Sequence, residues 1–257
     1  MRPEQELVPY TPGRLEGDPV LVLAPHPDDE LFGCGGFLAL AAGEGRNVEV
    51  LILTDGAAQG DPGTRRAESC EAARRLGLPE PHFAGFADRS LEPDGEALHA
   101  ALRSAIDAVR PALVLVPSPA EVHPDHRATA LALAALLMGD AGILPDTAAV
   151  AAYEVSAMLR PNVLLDVGAV WARVLDAAGA FASQLETHPY LEILECAATI
   201  RALTLGPGVA RAQAFHRITA GELRAIGPLR WAGRIGPVDG LEIPPRRRGL
   251  PGWLRRG

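Results

Sequence analysis

The chain contains no lysine: all 24 of its basic residues are arginine. A P-loop lysine, a Schiff-base lysine and a lysine general base are therefore excluded from its chemistry. Apolar runs are short. None reaches the roughly 20 residues that span a bilayer, and the first residues carry no secretory leader pattern, so the expected setting is the cytoplasm. Cysteine is scarce. Cys34, Cys70 and Cys196 lie far apart without C-x-x-C spacing, which speaks against a disulfide framework and for small, reduced, buried side chains. Positive charge is in deficit as well. The net charge is −8, whereas a general nucleic-acid binder rests on basic patches.

What remains is the composition of a globular protein, 48% hydrophobic and 22% charged, in a chain of 257 residues that is long enough for one large core. Residues 1–18 are polar, carry prolines and glycines, and read as an extended arm. Residues 244–257 set five arginines among prolines and glycines and read as a disordered basic tail, with contact to an anionic membrane surface as the lesser alternative. Between them, residues 19–243 read as a single domain. Short continuous apolar runs at Val20–Ala24, Val48–Thr54 and 112–116, with a weaker one at His82–Phe86, fit buried parallel strands. Helical stretches at 31–42, 65–76, 95–109 and 126–138 alternate with them, closed by Gly43, Gly77 and Gly139 in three cases. Two more strands are expected at 149–155 and 162–167, and helices at 171–184, 191–203 and 209–216. This alternation predicts an α/β fold, Rossmann-like, with a mainly parallel sheet and helices on both faces.

Two clusters interrupt the pattern. The apolar run Leu21-Val22-Leu23-Ala24 ends in Pro25-His26-Pro27-Asp28-Asp29-Glu30. Three adjacent carboxylates repel one another, and packing them at the end of a core strand is costly unless a cation sits there. Histidine and aspartate are metal ligands, and a catalytic zinc commonly keeps three protein ligands and one open position. A second cluster, His123-Pro124-Asp125-His126, follows the apolar run 112–116. In a doubly wound sheet the first and fourth strands commonly lie side by side where the strand order reverses, and ligands bind at their carboxyl ends. The two clusters are expected to converge there. Gly33-Cys34-Gly35-Gly36 lacks the G-x-G-x-x-G spacing of a nucleotide-binding oxidoreductase and reads as close packing of a helix on the sheet.

Together the clusters resemble the paired motifs of the PIG-L/LmbE-like family of zinc-dependent deacetylases, which act on N-acetylglucosamine-type amides among other small amides. Arg65-Arg66-Ala67-Glu68, Gly85-Phe86-Ala87-Asp88, Tyr153-Glu154-Val155, Ser183-Gln184 and Ala212-Gln213-Ala214-Phe215 are similar to further family segments. The resemblance implies that His26, Asp29 and His126 bind the metal, that Asp28 is the general base, and that His123 is the electrophilic or acid partner, oriented by Asp125. It implies Arg65 and Asp88 as sugar-contacting positions. On the residues alone, Arg65 also reads as a solvated helix arginine and Asp88 as a turn residue. The implied cofactor is Zn2+, with Fe2+ as the alternative. The implied partner is a small N-acetylated sugar or conjugate, not nucleic acid, and a homo-oligomer is compatible with it. Gln213 stands where a glutamate is usual, and Phe32 where some members carry a polar or basic residue; both departures bear on the substrate rather than on the chemistry. The competing readings are an amidase of a thiol conjugate or other small amide, and a non-catalytic metal- or sugar-binding relative. The retained Asp28 speaks against the latter.

Overall fold

The structure, a computed structural model, describes residues 12–236. The arm up to residue 11 and the basic tail 244–257 lie outside the described residues. Seven strands form one sheet in the order β3-β2-β1-β4-β5-β7-β6. These are β1 (Val20–Ala24), β2 (Val48–Thr54), β3 (His82–Phe86), β4 (Leu113–Pro117), β5 (Ala149–Tyr153), β6 (Val163–Asp166) and β7 (Ala212–Thr219). The first five are parallel neighbours, and β7 runs antiparallel between β5 and β6.

The helices are α1 (Asp29–Gly43), α2 (Pro62–Leu76), α3 (Glu96–Val109), α4 (Pro124–Gly139), α5 (Trp171–Ala178), α6 (Ala182–Leu185), α7 (Tyr190–Ala202) and α8 (Ala220–Ile235). They cover both faces. Because side chains alternate along a strand, Val20, Val22 and Ala24 of β1 enter one core with Phe37 of α1, Leu76 of α2 and Val174 of α5. Leu21 and Leu23 enter the other with Leu102 of α3, Leu133 of α4 and Trp231 of α8. A strand buried on both sides must be apolar at every position, which is why β1 and β4 stand out in the sequence. Register pairs Val20 with both Val48 and Leu113, so β1 and β4 are direct neighbours at the point where the strand order reverses.

Two expectations fail, and one helix was not expected. Residues 209–216 are not helical: Ala212–Thr219 forms β7. The alanines, glutamine and arginine there favour a helix, but pairing with β5 and β6 fills a gap in the sheet and overrides that preference. The stretch 171–184 is two helices, α5 and α6, rather than one. Helix α8 has no counterpart among the expected elements, and it holds Gly221, Gly227, Pro228 and Gly233. It starts with a capping box in which Thr219 receives the N–H of Glu222 and Glu222 receives that of Thr219, and it bends at Gly227, where φ is 74°. The cysteines differ from expectation in part: Cys34 is buried, Cys70 partly so, and Cys196 is exposed. Among the described residues no helix is long and apolar enough to cross a membrane.

Helix α1 is broken at Cys34, whose φ and ψ are −141° and 22°. The break frees the N–H of Phe37, which donates instead to Gln213 Oε1 at 3.0 Å. The adjacent glycines let this helix settle on the sheet. A Cβ on Gly36 would lie 2.5 Å from Val167 Cγ1, and one on Gly33 would overlap the ring of Tyr153, which is fixed by its own O–H donating to Leu23 O at 2.8 Å. Gly33→Ala should therefore destabilise the protein by about 1–3 kcal/mol. Gly43→Ala, with open space around the new Cβ, should be neutral or stabilise by up to about 1 kcal/mol. Urea denaturation midpoints of the two variants check the opposite signs.

Candidate active site

The peptide leaves β1 at Ala24, and Pro25 O receives the N–H of Thr54 from β2. The chain then turns sharply through Asp28, a non-glycine residue with φ of 137°, and enters α1 at Asp29. On the other side of the crevice, His123 caps α4 by accepting the N–H of Asp125 on Nδ1 at 3.2 Å. The two turns face each other. His26 Nδ1 lies 3.0 Å from Asp29 Oδ2 and 3.2 Å from His126 Nε2, and His126 Nε2 lies 3.1 Å from Asp29 Oδ2. The three sequence-expected ligands are thus brought together.

These donor atoms suit a divalent ion. Atoms about 3 Å apart have the spacing of neighbouring ligands on an ion bound at roughly 2.0–2.2 Å. Hydrogen bonding alone serves them poorly. Asp29 Oδ2 is approached at once by two ring nitrogens and by the His26 backbone N–H at 2.9 Å, and the two imidazoles meet nitrogen to nitrogen. Ring nitrogens of His26, His123 and His126 also fall within 4.8 Å of one another, so His123 is the alternative third ligand.

Each imidazole is held from behind. His26 Nε2 lies 3.2 Å from Asp125 Oδ2 and 3.3 Å from Asp88 Oδ1. His126 Nδ1 lies 3.6 Å from Glu121 Oε2. A carboxylate in this position fixes a ligand's tautomer and raises its basicity. The expected pairing of the Asp125 carboxylate with His123 gives way to this arrangement. Asp125 Oδ2 receives the N–H of Arg89 at 2.7 Å and Oδ1 that of Leu91 at 3.2 Å, and both turn the carboxylate toward His26. Only the backbone N–H of Asp125 serves His123. Glu121 is absent from the sequence-expected set. It is 1% exposed and receives the N–H groups of Val155 and Ser156 and the Ser156 hydroxyl at 2.7–3.2 Å. An acid two residues before His123 is the one signal that pointed to it.

Asp28 and Arg65 form a second unit. Arg65 is 2% exposed. It donates to Asp28 Oδ2 and Pro27 O, both at 2.8 Å, and to Gly56 O at 2.9 Å. It is therefore not the solvated arginine of the alternative reading, although it also lines the cavity. Burial, with the charge of Asp29, pushes the Asp28 carboxyl up to about 8 against the pull of Arg65. Burial likewise pushes Glu30 up to about 7; its Oε2 receives the N–H of Asp28 at 3.0 Å. Asp88 is held at about 2 by its close contact with the His26 ring, 3.3 Å away, against the pull of burial, and also receives the N–H of Ala58 at 3.1 Å. Burial lowers His123, and the charges of His26 and His126 lower it further. A cavity of about 410 Å³ opens over these groups.

A family profile described as PIG-L: GlcNAc-PI de-N-acetylase matches residues 21–137. The diacetylchitobiose deacetylase of Thermococcus kodakarensis is 34% identical over 120 residues, 42% of this chain and 45% of that protein, so the chain spans less than half of this relative's length. The probable N-acetyl-alpha-D-glucosaminyl L-malate deacetylase 2 of Bacillus anthracis is 31% identical over 65% of this chain and 82% of its own. Among solved structures, a conserved protein from Thermus thermophilus superposes with a TM-score of 0.69 at 31% identity, over 77% of this chain and 93% of its own.

Burial disfavours the imidazolium of His26, but hydrogen bonds with Asp125 and Asp29 push it up to about 12. His126, against the same pull, is pushed up to about 9 by the charge and hydrogen bond of Asp29. Protons therefore compete with a metal ion for both rings. Zinc affinity should rise with pH, and uptake should release protons, which calorimetry in buffers of different ionisation enthalpy reads directly. Elemental analysis should find about one ion per chain, lost in His26→Ala, Asp29→Ala and His126→Ala and kept in His123→Ala. Loss from His123→Ala with retention in His126→Ala would exchange the roles of the two histidines.

Proposed function

Because the chain belongs to the PIG-L family, whose profile is described as GlcNAc-PI de-N-acetylase, we propose that it hydrolyses the acetamide of an N-acetylglucosamine-type sugar or conjugate with the help of one divalent ion. His26, Asp29 and His126 are the residues to hold that ion. Two imidazoles and one carboxylate suit zinc and ferrous iron alike. When bound, the ion supplies Lewis acidity, polarising the carbonyl and making water acidic near pH 7.

The protein's own groups perform the proton work. Asp28 is the base. Arg65 holds its Oδ2, which leaves Oδ1 to take a proton from the attacking water, and its raised pKa suits a group that must gain and then give up a proton near neutrality. His123 is the electrophile. With Nδ1 accepting from the Asp125 N–H and with its pKa lowered, the ring is neutral and carries its proton on Nε2. A neutral imidazole N–H, rather than the imidazolium that a general acid would need, then donates to the oxygen that becomes negative at the tetrahedral stage. Asp28 returns its proton to the nitrogen, and the amine and acetate leave. Asp125, Glu121 and Asp88 are positioning residues behind the two ligand histidines. Arg65 and Asp88, facing the cavity near Gln59, support a sugar on that side.

The observation that carries this reading is geometric: the buried Asp28 carboxyl, held by Arg65, lies beside the closely spaced donor atoms of His26, Asp29 and His126 in one cavity. Acetate release from a panel of N-acetylated sugars and conjugates by the metal-loaded protein tests it; an inert panel would sink it. Asp28→Asn should keep the metal and lower kcat by about 10²–10⁴-fold. Metal loss from Asp28→Asn equal to that from Asp29→Ala would show that the two neighbours are misassigned.

A further inference from the structure

The cavity reaches well past the ligand trio, and its two sides differ. In sheet order the trio lies over β1 and β4. On one side, the segments after β2 and β3 bring Gln59, Arg65 and Asp88, all polar. On the other side lie β5, β7 and β6, with α7 packed over β7 and β6. There the cavity is walled by Phe32, Trp171, Tyr190, Leu194 and Ala198. The rings of Phe32 and Tyr190 are 5.2 Å apart, and Ile193, 49% exposed, stands at the rim. The charged pair on this side compensates itself: Arg201 donates to both oxygens of Glu154 and to Leu159 O. Trp171 is 7% exposed, and its indole N–H has no partner. This arm thus offers mainly apolar surface and no uncompensated charge, with the Gln213 side chain and the Tyr190 phenol as its polar groups.

An amide is planar and trans, so its two substituents point in opposite directions. With the carbonyl over the ligand trio and the sugar on the Arg65 and Asp88 side, the acyl group must enter the apolar arm. An acetyl methyl would leave most of that surface uncovered. We propose that the arm is an acyl-binding site and that the protein hydrolyses N-acyl sugars whose acyl group is a medium-length alkyl or aryl chain, in preference to acetyl. This rests on the amide-hydrolase reading above and names its substrate class. The reaction balances as simple hydrolysis. The amide C–N bond breaks, a C–O bond to the water oxygen forms, and the water supplies the proton that the nitrogen gains, giving a fatty carboxylate and an amino sugar. The Phe32 that departs from the polar residue of some family members is part of this wall, which gives that departure a function.

The test compares N-acetyl-, N-butanoyl-, N-hexanoyl- and N-octanoylglucosamine with octyl N-acetylglucosaminide, using metal-loaded protein. The expected result is a kcat/KM that climbs along the N-acyl series by about fourfold per methylene until the arm is filled, with no gain from the octyl glycoside. Ala197→Phe, a half-buried position of α7 on the cavity wall, should lower the octanoyl-to-acetyl ratio. Cleavage of the N-acetyl sugar with rates that fall as the chain lengthens would overturn the proposal. So would a gain confined to the glycoside, which would make the arm an aglycone site. Calorimetric binding of acetate, butanoate and octanoate reads the arm without turnover. Octanoate should bind tightest, and less tightly in Ala197→Phe; equal affinities would overturn the proposal. If every sugar is inert while octanoate still binds tightest, the hydrolase reading fails and the acyl-binding arm stands.

Discussion

The structure turns on a buried cluster of charges at the carboxyl ends of β1 and β4. Asp28, Asp29, Glu30, Glu121 and Asp125 are all buried there, with His26, His126 and Arg65. Each ion taken out of water costs several kcal/mol unless its partners replace the lost solvation, and three of these carboxylates draw partners from other parts of the chain. Asp125 draws N–H groups from Arg89 and Leu91 after β3. Glu121 draws them from Val155 and Ser156 after β5. Asp28 is met by Arg65 of α2. The loops that follow β1, β2, β3, β4 and β5 are thereby tied to one point at the sheet's switch point. With both imidazoles neutral, as metal ligands must be, five carboxylates face one guanidinium, and a divalent cation would offset part of that excess.

How much of this was legible in the sequence follows from where each signal lives. Strands β1, β2 and β4 are buried on both faces, so their apolar runs are continuous and their bounds are readable to within a residue or so. That His26, Asp29 and His126 gather at one place was legible because charged side chains directly after buried apolar runs need partners there. Strand β7 was not legible. Its slot between β5 and β6 is a property of the folded sheet, and its Ala-Gln-Ala opening carries helical preference. Helix α8 was obscured by glycines that the chain accommodates with one bend at Gly227. The partners behind the histidines were the hardest to read. That Asp125 turns to His26, 99 positions away, rather than to its neighbour His123 depends on two backbone N–H groups whose position only the assembled loops determine.

Asp28 shows how a strained backbone can separate two adjacent carboxylates into different roles. A φ of 137° is disfavoured for a residue with a Cβ and persists only where the surroundings hold it. Three contacts do so: Glu30 receives the Asp28 N–H, Arg65 binds the side chain, and Arg65 also holds the preceding carbonyl of Pro27. In a regular first turn of α1, Asp28 and Asp29 would lie about 100° apart around one axis and compete for the same cation. The left-handed turn instead leaves Asp29 between the imidazoles and directs Asp28 to Arg65. The outcome is a pair of neighbours with opposite titration: burial pushes both up, but the charge and hydrogen bond of His126 hold Asp29 well below the carboxylate range, whereas Asp28 rises to about 8. Groups of one type whose environments drive them apart are the arrangement that acid–base chemistry requires.

The absence of lysine returns with a structural meaning at Arg65. The position asks for three hydrogen bonds, to Gly56 O, Pro27 O and Asp28 Oδ2, from a side chain that is 2% exposed. A guanidinium meets this with a rigid fork and a diffuse, weakly hydrated charge. An ammonium is a compact, strongly hydrated point charge that loses its proton readily on burial. A neutral amine beside Asp28 would remove the larger of the two positive charges, Arg65 and His26, that oppose burial there, and the carboxyl would rise further. The guanidinium therefore does two things that no other side chain of this protein could do at that place. It fixes the strained turn by its geometry, and by its charge it sets the upper limit on how basic the buried carboxylate becomes.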